Sequence, residues 1–181
     1  MKVIAFTGLP WSGKSEAVII AKRQGIPVVR MGDMVWDEVK NQQLDLTSEN
    51  VGKIAHEMRL SKGMDIWAKR TIQRINEINQ SSVIIIDGIR NPEEITAFKE
   101  KYGSDFIIIC IDAKDDIRHQ RAINRHRIDD SIDKNEIIKR DEREKNWGIE
   151  KVMAKADKTF QNNQSLASFQ HQIFQFLESI D

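Results

Sequence analysis

The chain has 181 residues, 28 Lys+Arg against 28 Asp+Glu, a formal net charge of zero, and 40% hydrophobic residues. That length suits one domain with a full core, and the charge balance excludes the broad basic footprint of a general nucleic-acid binder. The single cysteine, Cys110, excludes an intramolecular disulfide and a cysteine-built zinc site.

Taken in chain order, short β-branched runs alternate with longer helical patterns. Lys2–Thr7 reads as a buried strand, and a helix follows from Ser15 to about Gln24, stopped by Gly25 and Pro27. Val28–Met31 is a second strand. From Met34 to Asn79 no strand pattern appears. Val51, Ile54, Ala55 and Met58 mark one helix face behind a Thr47/Ser48 cap, and Trp67, Ala68, Thr71, Ile72, Ile75 and Ile78 mark another. Val83–Asp87 is a third strand. Asn91-Pro92-Glu93-Glu94 opens a helix with a capping residue, proline at the first helical position and Glu at N3; Gly103 ends it. Phe106–Asp112 is a fourth strand, Asp115/Asp116 opens a helix, and Gly148 closes the one after it. Ala156–Phe160 is a weaker fifth strand. Leu166, Phe169, Ile173, Phe176 and Ile180 form a last amphipathic helix.

Apolar runs without alternation are buried on both faces, as in a parallel sheet covered by helices. The expected class is therefore α/β, with a helical insertion at about 34–79 and no repeat or linker. No apolar run approaches the ~18 residues of a membrane span, and the N-terminus lacks a signal-peptide pattern, so the expected location is the cytoplasm.

One motif carries the chemistry. Gly8-Leu9-Pro10-Trp11-Ser12-Gly13-Lys14-Ser15 matches G-x-x-x-x-G-K-[ST] in full, after a strand and at a helix start. Glycines let main-chain N–H groups point inward around a phosphate, and the helix N-terminus adds partial positive charge. Lys14 reaches the β- and γ-oxygens of a nucleotide, and the Ser15 hydroxyl can ligate Mg²⁺. Trp11 within the loop either packs against the sheet edge or shapes the nucleotide pocket. Asp87 ends four aliphatic residues, where a carboxylate can hold the Mg²⁺ shell.

Phosphoryl transfer needs positioned positive charge more than covalent chemistry. Arg118, Arg121 and Arg125 share a helix face at i, i+3, i+7, and Arg90 lies just beyond the Asp87 strand end, where open α/β sheets bind ligands. Arg118 and Arg143 read as solvated charges, as does the Glu142–Lys145 run. Cys110 reads as inert core. His56, His119, His126 and His171 form no metal-ligand pattern, and His119 and His126 read as solvated neighbours of the arginines.

Over nearly its whole length the chain resembles P-loop nucleoside-monophosphate kinases, especially an archaeal adenylate-kinase-related group close to dephospho-CoA kinases. Gly8–Ser15 resembles the family's nucleotide loop. Met31-Gly32-Asp33-Met34 is similar to the T-G-D-M that opens the acceptor lobe, and Asp87-Gly88-Ile89-Arg90 to the D-G-F-P-R segment. There the resemblance implies Mg²⁺ for Asp87 and the acceptor phosphate for Arg90. Arg121 and Arg125 resemble lid arginines, the first on the donor base and the second on its phosphates. Arg127-Ile128-Asp129-Asp130 is similar to R-x-D-D, with Arg140 as the second lid arginine. Ala156-Asp157, Asn162-Asn163 and Ser165-Leu166 resemble the C-terminal segment of dephospho-CoA kinases.

The resemblance implies a five-stranded parallel sheet of order 2-3-1-4-5 in one P-loop kinase domain spanning 1–181, with a short lid at about 118–145. It implies a nucleotide donor, ATP with Mg²⁺, and a small nucleotide-like acceptor. Gly8, Pro10, Trp11, Ser12, Gly13, Lys14, Ser15, Arg121 and Arg125 would hold the donor. Asp33, Arg59, Asp87, Gly88 and Arg90 would meet the acceptor, and Lys14, Arg125, Arg140 and Asp33 would serve catalysis.

The chain also departs from the family. The arginine expected after the acceptor-lobe motif is Trp36, leaving Arg59 or Arg70 as substitutes, and the lid between Arg125 and Arg127 is short. Three functions stay open. One is transfer to a nucleoside monophosphate such as AMP, whose phosphate needs no base. Another is transfer to a sugar hydroxyl, with Asp33 accepting the proton. The last is a nucleotide-binding regulator or slow ATPase.

Overall fold

The three most apolar strands belong at the centre of a sheet covered on both sides. The computed structural model, which describes residues 1–78, 81–124 and 134–180, places them there. β1 (Lys2–Thr7) lies between β3 (Val83–Asp87) and β4 (Phe106–Asp112), and the shorter β2 (Val28–Arg30) and β5 (Lys158–Gln161) form the edges. All pairings are parallel, in the order β2-β3-β1-β4-β5. The strands, and the order implied by the resemblance, are as expected.

Alternate side chains of each strand feed two cores. Val3, Ala5, Ile84, Ile86 and Ile108 pack with α2 (Met31–Asn41), α3 (Ser48–Lys62), α4 (Ile66–Asn76) and α5 (Pro92–Tyr102). Ile4, Phe6, Ile85, Ile109 and Ile111 pack on the other side with α1 (Lys14–Arg23) and α9 (Leu166–Glu178). The remaining helices are α6 (Asp115–Asn124), α7 (Lys134–Trp147) and the short α8 (Ile149–Met153). No helix among the described residues is long and apolar enough to cross a membrane.

Several boundaries differ from expectation for local reasons. The second strand stops at Arg30 because Met31 already begins α2, so Met31-Gly32-Asp33-Met34 is the first turn of the insertion. The fifth strand starts at Lys158. Ala156 is held in the turn after α8 by its N–H to the Met153 carbonyl, and Asp157 meets β4 with its backbone N–H on the Ile108 carbonyl and its carboxylate on the Ile108 N–H. The Asn79 end of the insertion, and Arg125, His126, Arg127, Ile128, Asp129 and Asp130 of the lid, lie outside the described residues.

The expected start of α5 forms in full. The Asn91 carboxamide oxygen accepts from the Glu94 N–H at 2.9 Å, and the Glu94 carboxylate accepts from the N–H groups of Asn91 and Arg90. Asn91 also donates to the Met64 carbonyl at 3.0 Å, tying α5 to the insertion. Asn91→Ala should therefore lower stability by about 1–3 kcal/mol, the loss of a buried cap and of a tertiary hydrogen bond. Urea unfolding should show a lower midpoint at unchanged slope, and an unmoved midpoint would contradict it.

Candidate functional site

Parallel strands bring their C-terminal ends to one edge, and that edge is where chemistry collects. Phe6 and Arg30 both register opposite Asp87. The Gly8–Ser15 loop turns out of β1 at this edge and feeds α1. Glycine is required at its two ends. Gly8 (φ 139°) and Gly13 (φ 113°) are left-handed, and a Cβ would come within 2.0 Å of the Ile111 carbonyl oxygen at Gly8 and 2.2 Å of Asn162 Nδ2 at Gly13. The Lys14 ammonium donates to the loop's own carbonyls, Gly8 O at 2.5 Å and Leu9 O at 2.9 Å. Burial lowers its pKa to about 8, against the opposing pull of Glu144 and Asp87.

The loop floors a cleft whose far wall is the helical insertion. Lys14, Ser15, Asp87, Gly88, Arg90 and Arg140 line it beside Pro10, Trp11 and Gly13, while Met31, Val35, Trp36, Val51 and Trp67 supply an apolar wall. One oxygen of Asp87 is buried without a hydrogen-bond partner. A lone carboxylate oxygen of this kind beside the first turn of α1 is the donor set that Mg²⁺ takes when nucleotide phosphates complete its shell, so Ser15 and Asp87 fit the ion.

Trp11 is buried against Ala122 and Ile137, between α6 and α7, and not against the sheet edge. It holds a positive φ of 60°, a strained conformation for an indole-bearing residue. Arg140 lies over its ring at 5.1 Å. On its other side is a second hollow with Gly13, Ser15, Arg121, Asn162 and Leu166. Here Arg121 donates to the carbonyls of Ser12 and Asn162, and Asn162 Nδ2 donates to the Ser12 carbonyl at 2.8 Å. Gly8 and Ser12 shape the loop from behind, with Ser12 fully buried.

Four sequence expectations need correction. Arg118 is not solvated: it is fully buried, donating to the Pro10 carbonyl at 2.9 Å, to Asp115, and to both oxygens of Asp141 at 3.0 and 2.8 Å. It thereby ties the phosphate loop to α7. His119 is not a free neighbour of arginines, because its Nε2 lies 3.1 Å from Asp141. Nor is the Glu142–Lys145 run a solvated face. Glu144 is buried, 3.4 Å from Arg90, and although burial opposes its ionisation, Arg90, Arg140, Lys14 and Arg143 hold its carboxyl below the usual range. Arg143 lines the cleft. The missed signal was spacing: Ile137, Asp141, Glu144 and Trp147 follow one another at i, i+4, i+7 and i+10, a single inward stripe.

The residues expected to meet an acceptor divide. Arg90 is in the cleft, its charged form favoured because Glu144, Glu94 and Asp87 outweigh the cost of burial. Arg59 reaches the cleft wall but is committed to Glu94 at 2.9 Å and stacked on Trp147 at 4.3 Å. Asp33 is half-buried, turned toward Arg30 at 3.4 Å and outside the cleft lining, with its pKa raised by burial. Arg70 pairs with Glu38. Arg30, unmentioned by the motifs, sits between Asp87 at 3.9 Å and the Trp36 ring at 5.4 Å.

Comparison with known proteins agrees with this architecture. A family described as an AAA domain matches residues 7–139. A UPF0200/UPF0201 protein of Archaeoglobus fulgidus is 44% identical over 98% of the chain, which spans 55% of that relative's length. A UPF0200 protein of Methanosarcina barkeri is 38% identical over 99% of the chain and 96% of its own length, and one of Methanoculleus marisnigri is 43% identical over 96% and 93%. Among solved structures, TT1252 from Thermus thermophilus superposes with a TM-score of 0.63 at 14% identity, covering 99% of this chain and 98% of its own. Shikimate kinase from Aquifex aeolicus gives 0.54 at 19% identity, covering 97% and 96%. These two share the fold; the sequence relatives share more, and the chain belongs to the UPF0200 family, with a P-loop NTPase domain of kinase-like fold.

Proposed function

We propose that the protein transfers the γ-phosphoryl group of ATP, with Mg²⁺, to a nucleoside monophosphate such as AMP. The observation that carries this is the cleft. It runs from the Lys14 ammonium to a helical insertion whose wall is apolar enough for a base, and its rim is lined by arginines suited to a phosphate. Trp11 and Arg121 border the second hollow, which suits the donor base.

In this reading the loop amides and Lys14 hold the donor's β- and γ-phosphates, and Arg140 faces the transferring group from α7. Ser15 and Asp87 hold the Mg²⁺, whose contribution is to neutralise charge on those phosphates. Arg90 meets the acceptor, braced by Glu144. The acceptor oxygen is already ionised, so no residue need take a proton, and Asp33 shapes the start of α2 beside Arg30.

A coupled assay against the nucleoside monophosphates and dephospho-CoA tests this. Transfer to a nucleoside monophosphate is expected; transfer to dephospho-CoA alone, or ATP hydrolysis alone, would overturn it. Asp33→Asn should change kcat less than about threefold, whereas a general base would cost about 10²–10⁴. Asp87→Asn should lose Mg²⁺-dependent turnover while still folding.

Lys14→Met should abolish transfer and yet stabilise the protein. A lysine whose pKa falls from 10.5 to about 8 on folding opposes folding at every pH below 8. The opposition fades as pH rises from 8 toward 10.5, because the folded state then releases a proton that the unfolded chain still holds. Urea unfolding at pH 7 should show a gain of about 1–3 kcal/mol, shrinking above pH 8. A loss of stability at pH 7 would contradict it.

A further inference from the structure

The cleft is unbalanced in charge. Six cationic side chains, Lys14, Arg30, Arg59, Arg90, Arg140 and Arg143, line it against the two carboxylates Asp87 and Glu144. Most of these cations have a local partner. Arg30 meets Asp33 and Asp87, Arg59 meets Glu94, Arg90 meets Glu144, and Lys14 sits on loop carbonyls. Arg143 differs. Its guanidinium lies over the Trp147 ring at 5.7 Å, its Nε is buried with no hydrogen-bond partner, and no described carboxylate lies within ion-pair distance. Burial and the neighbouring Arg140 and Arg90 disfavour its charge, and only Glu144 and Glu136 act for it from a distance. A desolvated cation among like charges is costly unless an anion completes the site.

The insertion makes room for this group. Gly52 of α3 faces Arg143, and a Cβ there would fall 2.3 Å from Nη1. Glycine disfavours a helix, so its presence in the middle of α3 is explained by this approach. Arg59 stacks on the same Trp147 ring, and its Nε too is buried without a partner.

We propose that Arg143, flanked by Arg90 and Arg59, binds the phosphomonoester group of the acceptor, and that Gly52 is what lets its guanidinium reach the cleft. This rests on the transfer reading above and sharpens it: the phosphate dianion of that acceptor is assigned the side chains that hold it. Guanidinium groups match phosphate oxygens in pairs, and a neutral alcohol would leave Arg143 uncompensated.

The test uses calorimetry on the whole chain. Mg²⁺·AMP-PNP is titrated to saturation, so that the phosphate loop is filled, and inorganic phosphate is then titrated into the wild type, Arg143→Met, Arg143→Lys and Gly52→Ala. AMP-PNP affinity should stay within about twofold throughout. Phosphate affinity should fall about 10- to 100-fold in Arg143→Met, the loss of a charge-assisted contact, and less in Arg143→Lys. Gly52→Ala should match Arg143→Met without lowering the melting temperature, since alanine favours the helix and a guanidinium tip can swing aside. Failure of AMP-PNP to bind the wild type would overturn the nucleotide reading itself. Normal AMP-PNP binding with phosphate affinity equal in all four proteins, or absent from the wild type, would overturn the anion subsite alone. Loss in Arg143→Met but not in Gly52→Ala would overturn the role given to Gly52.

Discussion

The cost of removing the Lys14 ammonium from water governs the arrangement around it. Its pKa falls to about 8 despite two carbonyls at hydrogen-bond distance and two nearby carboxylates. Those carboxylates come from separate parts of the chain. Asp87 arrives on the end of β3, in register with Phe6 just before the loop. Glu144 arrives from α7, almost sixty residues later, and is buried in turn among Arg90, Arg140 and Arg143. Each charge is tolerable only because the others are fixed, so the cleft depends on how firmly α7 is held.

Arg118 supplies that hold. One guanidinium joins the Pro10 carbonyl, inside the phosphate loop, to Asp141, one turn before Glu144. Breaking one partner of a buried pair leaves an uncompensated charge, which is why such a strut resists displacement even though an apolar replacement of the whole could be as stable. It sets the distance between the loop and the helix that carries Arg140, Arg143 and Glu144. Trp11, strained at φ 60°, is wedged into the same junction with Ala122 and Ile137.

The sequence made part of this legible. β1, β3 and β4 stand out because a strand buried on both faces must be apolar at every position, and the α5 start because a capping box is a purely local device. The loop motif is local as well. β5 was weaker because it is an edge strand with only Phe160 buried, and its first contact with β4 is made by the Asp157 side chain. Strand order depends on crossovers that no single segment encodes and came from family likeness. The charged residues were least legible. Arg118, Asp141, Glu144 and Arg143 look like ordinary helix-surface charge because each partner lies far away in sequence. Only the i, i+4, i+7 recurrence with Ile137 marks Asp141 and Glu144 as inward-facing.

Trp36 shows how the same logic shapes the apolar wall of the cleft. At a position where an arginine is an expectation of the resemblance alone, this chain has an indole, and Arg30 from the end of β2 lies against it while also approaching Asp87. Positive charge reaches the cleft from the sheet edge through Arg30 and from α7 through Arg140 and Arg143, while the insertion's Arg59 is paired with Glu94. A second indole, Trp147, carries both Arg59, at 4.3 Å, and Arg143, at 5.7 Å: the first is neutralised by Glu94, the second by nothing within ion-pair reach among the described residues. The insertion keeps its hydrophobic face, and α3 contributes the absence of a side chain at Gly52. A cation held by α7 keeps the position set by the Arg118 strut. Arg140, Arg143 and Glu144 are therefore fixed relative to Lys14 by a residue, Arg118, that does not itself line the cleft.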